Sequence, residues 1–86
     1  MLLWRGDIVR EHFREKYRLL GLKIAYYRRK RGYTQEQLAE LIDKNVSFLG
    51  QIESNNGAAV KGVSLDTLFT ISEVLDVPVE KFFAED

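Results

Sequence analysis

An all-α fold, a compact bundle of five helices preceded by a helical extension, is predicted by three observations. Apolar residues Val9, Phe13, Tyr17, Leu20, Ile24 and Tyr27 are separated by four, four, three, four and three positions, the spacing of one helix face. Thr34 followed by Gln37 is a capping-box signal at the head of a second apolar stretch. A break of about three residues, Asp43 to Asn45, separates that stretch from a third, so two short helices must cross there at a large angle.

The first helical region spans 7 to 31. Asp7 after Gly6 is suited to its N-cap. Gly21 costs roughly 1 kcal/mol relative to Ala inside a helix, so the region is either one kinked rod or two helices. Residues 1–18 are accordingly read as an N-terminal extension, helical from about 7, and 19–86 as the domain proper. Leu2, Leu3 and Trp4 either pack on the domain's own surface or meet a partner.

Gly32, after four basic residues, suits a left-handed C′ position that stops the helix. In the next helix, from Gln35 to about Ile42, the Thr34 hydroxyl takes the Gln37 amide and Gln37 reaches back to the Thr34 N–H. Tyr33 and Leu38 occupy the staple positions; Leu38, Leu41 and Ile42 form the expected buried face, and Ala39 allows a close crossing. Asn45 is a good N-cap for the third helix, whose apolar positions are Phe48, Leu49 and Ile52. This pair is a helix-turn-helix unit.

Residues 54–63, SNNGAAVKGV, read as a loop, with Asn55 or Gly57 able to take the left-handed conformation that ends a helix. The loop is either tolerated slack or a reach toward a ligand, with Lys61 its one cation. Ser64 caps a fourth helix carrying Leu65, Leu68, Ile71 and Leu75, flanked by Val74. Val77 is a packing residue, and Pro78 suits the first turn of a final short helix in which Phe82 and Phe83 close the core, unless one of them faces outward to an interface.

Size and composition narrow the function. Eighty-six residues form one small domain that buries only about 60 % of its unfolded surface. The sequence has no cysteine and a single histidine, His12, so neither a disulfide framework nor a thiolate metal site can form. It has no G-x-x-x-x-G-K-[ST] loop, no H-E-x-x-H and no EF-hand spacing. Catalysis, a metal and a cofactor are therefore not expected. No apolar run approaches the roughly 18 residues of a membrane span, and a soluble cytoplasmic protein is expected.

Net charge is zero but unevenly placed: residues 1–33 hold ten Lys or Arg against three acids, and residues 34–86 hold three against ten. The densest basic run, Arg28 to Arg31, is open to two readings, a solvated helix end favoured by the helix dipole or a phosphate-facing patch.

The run Leu38-Ala39-Glu40, followed by Leu49 and then Gln51-Ile52-Glu53, resembles the lambda-repressor-like, Cro-type (XRE) family of DNA-binding domains. The resemblance runs from about Leu20 to Glu53 and resumes from Ser64 to Phe83, through Leu20, Gly21, Ile24, Arg28 and Gly32, then Ser64 to Leu68, then Leu75 to Pro78. It implies a five-helix lambda-repressor-like bundle and double-stranded DNA as partner. It also implies an ion pair between Arg28 and Glu53; an isolated charge in so small a core needs a partner, and truncating one member costs roughly 3–5 kcal/mol.

Carried over by position, the base-facing residues are Val46, Ser47 and Gln51. Gln51 can pair bidentately with adenine, Ser47 can donate or accept, and Val46 can touch a thymine methyl. Gln35 is expected at phosphate through its side chain and the helix-end amides, with Lys44, Asn45, Asn55 and Lys61 as further phosphate contacts.

Three departures stand out. Asp43 occupies the turn where relatives commonly have glycine, no Arg or Lys lies between Asn45 and Ser54, and Gly50 sits at the groove-facing side of its helix. Few cations imply a small counterion-release contribution and a shallow salt slope. The expected function is a sequence-specific transcriptional regulator, a homodimer on a palindromic operator, because one module buries little DNA surface. The alternative is a protein-interaction module of the same fold, such as an antitoxin-like partner of another protein, supported by Val46, Phe48 and the apolar Leu2, Leu3 and Trp4.

Overall fold

The computed structural model describes residues 12–55 and 61–84. Four α-helices follow one another, α1 (Arg14–Lys30), α2 (Gln35–Leu41), α3 (Val46–Ser54) and α4 (Leu65–Leu75), and a 3₁₀ turn (Val79–Phe83) closes the described chain. The expected fifth helix is thus a 3₁₀ element. Five residues between Pro78 and Ala84 are too few to sustain an i→i+4 ladder, and Lys81 N–H instead donates to the Pro78 carbonyl three residues back at 2.9 Å. Asp7, Val9 and the Leu2–Trp4 stretch lie outside the described residues, and the expected division at 18/19 falls within α1.

Local capping decides where each helix stops. After α1, Gly32 has φ +85°, its N–H donates to Arg29 O at 2.9 Å, and Tyr33 N–H donates to Arg28 O at 3.1 Å. That is a Schellman motif, in which the left-handed residue turns two donors back onto the last free carbonyls. Asp43 repeats it after α2 with φ 60°, and Asp76 after α4 with φ 54°. Aspartate tolerates this conformation because its short polar side chain carries a smaller penalty there than a branched one.

The helix starts are equally local. Thr34 and Gln37 complete the reciprocal capping box at 3.1 and 2.8 Å. Asn45 Oδ1 accepts from Phe48 N–H at 2.7 Å, and Ser64 Oγ accepts from Thr67 N–H at 3.1 Å.

α1 is continuous through Gly21, so the region is one helix there and not two. Glycine is there for proximity, because α1 packs on α3 so closely that a Cβ would meet the Ile52 carbonyl. The core between the helices joins Leu20 and Ile24 of α1, Leu38, Ala39 and Ile42, Leu49 and Ile52 of α3, and Leu68, Ile71 and Leu75 of α4. Val77 and Phe82 complete it, with Tyr27 edge-on to Phe82 at 5.7 Å between centroids.

Two expected core positions face outward. Leu41 is 52 % exposed and Leu65 is 64 % exposed. On a period of 3.6, Ala39 rather than Leu41 completes the face of Leu38 and Ile42. Leu65 opens α4 before that helix meets the rest of the core. Phe82 is buried and its neighbour Phe83 is exposed.

Candidate nucleic-acid interface

α3 is fastened to the bundle along one side by Leu49, Ile52 and Glu53, all buried, which leaves Ser47, Gln51 and Ser54 on the opposite, exposed side. Val46 is exposed at its first position, and Gly50 is partly exposed between Val46 and Ser54 in projection. The amide of Phe48 is capped by Asn45, so the Asn45 side chain holds the helix start, with Val46 and Ser47 exposed between them.

Behind this face lies the ion pair. Arg28 Nε donates to Glu53 Oε2 at 2.6 Å and Nη2 to Oε1 at 3.0 Å, a two-point contact between residues that are each 6 % exposed. Arg28 Nη1 also donates to the Tyr33 carbonyl at 2.8 Å. Gln35 Nε2 donates to Glu53 Oε1 at 2.8 Å, so Gln35 is tied to the end of α3 and its amide lies against Gly50. Among the described residues no buried side-chain nitrogen or oxygen lacks a hydrogen-bond partner. Charges buried this fully are tolerable only when every strong donor and acceptor is matched.

The basic run at the end of α1 separates into different roles. Arg28 is in the ion pair. Arg31 Nε donates to Leu75 O at 2.6 Å and Nη2 to Asp76 O at 2.8 Å, placing a cation on the carbonyl end of α4 where the helix dipole favours it. Lys30 lies over the Tyr26 ring at 5.6 Å. The sequence signal for Arg31 was absent because its partner lies more than forty positions away.

Of the remaining expected phosphate contacts, Asn55 is 4 % exposed and left-handed at φ 44°. Its Oδ1 accepts from Lys61 N–H at 2.7 Å and its Nδ2 donates to Lys61 O at 3.0 Å, so the side chain is engaged in closing the loop. Lys44 is exposed at the turn before α3, and Lys61 is brought to the same neighbourhood by that closure. Val46, Ser47 and Gln51 are together on or beside the open face of α3; Gln35, Asn45 and Asn55 hold that helix in place.

A second surface is apolar. Leu19, Leu22 and Tyr26 of α1, Leu65 of α4, and Phe83 border one open groove that includes no residue of α2 or α3. Among the described residues no helix is long and apolar enough to cross a membrane, and no cluster of His, Cys, Asp and Glu could hold a metal ion.

Residues 24–82, more than half of the chain, match the family model HTH_3, described as helix-turn-helix. Three solved structures are similar. The restriction-modification controller protein C.AhdI from Aeromonas hydrophila is 25 % identical, over 80 % of this chain and 98 % of that one, with a TM-score of 0.70. The N-terminal DNA-binding domain of SinR from Bacillus subtilis is 33 % identical, over 80 % and 96 %, with a TM-score of 0.68. SinR, the master regulator for biofilm formation, in complex with DNA is 34 % identical, over 76 % and 98 %, with a TM-score of 0.66. No curated protein matches the chain.

Proposed function

The chain belongs to the XRE family of lambda-repressor-like helix-turn-helix proteins, and from that premise we propose a sequence-specific DNA-binding transcriptional regulator that acts as a homodimer on a palindromic operator. The observation that carries this reading is the second helix of the unit, α3, buried along one side and open along the other with its first amides free of intrahelical partners. Such a helix enters the major groove with its N-terminal residues at base edges while the preceding helix crosses the backbone.

In that pose Gln51 reads adenine through its amide, Ser47 contributes a hydroxyl, and Val46 offers a methyl contact to thymine. Gln35 holds α3 through Glu53, so the angle of the reading helix depends on the ion pair beneath it. The apolar groove of Leu19, Leu22, Tyr26, Leu65 and Phe83 supports pairing of two copies, since it lies outside the helix-turn-helix and leaves both reading helices free. Half-sites then lie about 34–36 Å apart, or a multiple of that.

The test is retention of a random-sequence duplex pool at low salt, with sequencing of what stays bound. Enrichment of a two-fold sequence that Gln51→Ala abolishes supports the regulator. A pool with no enrichment rejects it and leaves the protein-interaction module as the reading of the same apolar groove.

A further inference from the structure

α1 and α4 carry matching apolar strips bordered by opposite charge. Along α1 the exposed residues Leu19, Leu22 and Tyr26 are three and four positions apart, and Lys16, Lys23 and Lys30 run beside them at a constant interval of seven. Lys16 and Lys23 line the groove, and Lys30 lies over the Tyr26 ring at 5.6 Å. Seven positions are close to two helical turns, so the lysines form one ridge along one side of α1 with a step of ~10 Å.

On α4 the strip is Leu65 and Phe69, 64 % and 47 % exposed and one turn apart. Leu65 lines the groove, and Phe69 carries the apolar strip beyond it. Asp66 and Glu73, both exposed, border this strip at the same interval of seven. α4 has no Lys or Arg, whereas α1 holds seven against Glu15 alone, so the two helices that flank the groove differ in sign.

A second copy satisfies both helices at once. A two-fold axis sets residue i of one copy on residue j of the other and j on i, so the basic helix of each meets the acidic helix of its mate. The lysine ridge and the Asp66 to Glu73 pair share the ~10 Å step, which lets two opposite charges come into register together. A partner helix that is acidic throughout would suit α1 but set its carboxylates against Asp66 and Glu73, and like charges facing across an interface are strongly disfavoured.

We infer that two copies pair by laying α4 of each along α1 of the other, with Leu65 and Phe69 on the strip of Leu19, Leu22 and Tyr26, and with Asp66 and Glu73 facing the lysine ridge. The inference rests on the homodimer reading and names the surfaces that meet. It makes Phe69, outside the groove, an anchor of the pair. It also makes self-association weaken as salt rises, so that operator affinity carries a salt dependence of protein–protein origin in addition to the DNA contribution.

The test is charge complementation, read by sedimentation equilibrium of the full chain without DNA. Lys16→Glu with Lys23→Glu makes both helices acidic, and Asp66→Lys with Glu73→Lys makes both basic. Each double variant alone is expected to raise the dimer Kd by about a hundredfold or more, because like charges then face each other in both halves of the pair. An equal mixture of the two is expected to regain a dimer of near wild-type strength, seen by native mass spectrometry as the mixed species. Misfolded chains would not recover on mixing, and circular dichroism of each variant alone confirms its helices. Phe69→Ser, which alters no charge, is expected to weaken the wild-type dimer.

A wild-type dimer whose double variants associate as tightly as it does, or fail to pair when mixed, would overturn the α1-to-α4 arrangement and leave the homodimer standing. A wild-type chain that stays monomeric at tens of micromolar, with and without DNA, overturns both and leaves the groove to a different protein.

Discussion

Gly21 of α1 lies against the Ile52 carbonyl of α3, so that a Cβ on Gly21 would sit 2.0 Å from that oxygen and 3.0 Å from its carbon. Neither atom belongs to a flexible side chain, so an added methyl must push the helices apart. Gly21→Ala is expected to destabilise the fold by about 1–3 kcal/mol or more, despite alanine's better helix propensity. Gly50→Ala is the control: its Cβ would meet nothing nearer than the Gln35 amide at 3.9 Å. There propensity acts alone, and a gain of about 0.5–1 kcal/mol is expected. Urea denaturation of the two variants side by side checks the sign of each.

The pair Arg28 and Glu53 is buried and doubly hydrogen-bonded. Glu53→Ala leaves a guanidinium in the core without its carboxylate, and also strands the Gln35 amide, so a loss of about 3–5 kcal/mol is expected. The double variant Arg28→Met with Glu53→Leu removes both charges and is expected to be more stable than Glu53→Ala alone. A double-mutant cycle by chemical denaturation measures the difference; equal stabilities would mean the unpaired charge is not what costs.

Gln51 projects from the open side of α3. Gln51→Ala is expected to leave the melting temperature within about a degree or two, as surface substitutions do. Discrimination at one base pair of the half-site should fall by about 1–3 kcal/mol. Competition binding against duplexes altered at single positions checks this, and a uniform loss across all positions would argue against base reading by this residue.

Phe83 is 62 % exposed at the end of the apolar groove, beside Leu22 and Leu65. Phe83→Asp or Leu22→Glu is expected to convert a dimer to a monomer in sedimentation and to weaken operator binding, with the melting temperature nearly unchanged at high dilution. A wild-type chain that sediments as a monomer at tens of micromolar, with and without DNA, removes the homodimer.

How much of this was legible in the sequence depends on how far apart the interacting groups lie along the chain. The cap residues Thr34, Asn45 and Ser64 bond to amides three positions ahead, and Gly32 stops α1 with its own amide bonded to the carbonyl three positions back and the next amide bonded to the carbonyl five positions back. Those interactions are complete within one turn of helix, so residue type and spacing suffice to predict them. Core faces were read correctly where periodicity is unambiguous, as at Leu20, Ile24 and Ile71, and misread at Leu41 and Leu65, where an apolar residue flanks the face or precedes the packed part of its helix.

The sequence by itself therefore determined α2, α3 and α4 with their caps at Thr34, Asn45 and Ser64, the end of α1 at Gly32, the tight turn between α2 and α3, and the family to which the chain belongs. Tertiary structure alone decided what the permissive and charged residues do. Gly21 admits a neighbouring backbone, Arg31 closes α4 from forty-four positions away, and Asn55 draws Lys61 to the Phe48 ring. The physical reason is one of range. A cap is a local hydrogen bond available to an isolated segment, whereas a close helix crossing or a cation set over a distant ring exists only after burial of the core has brought distant segments together.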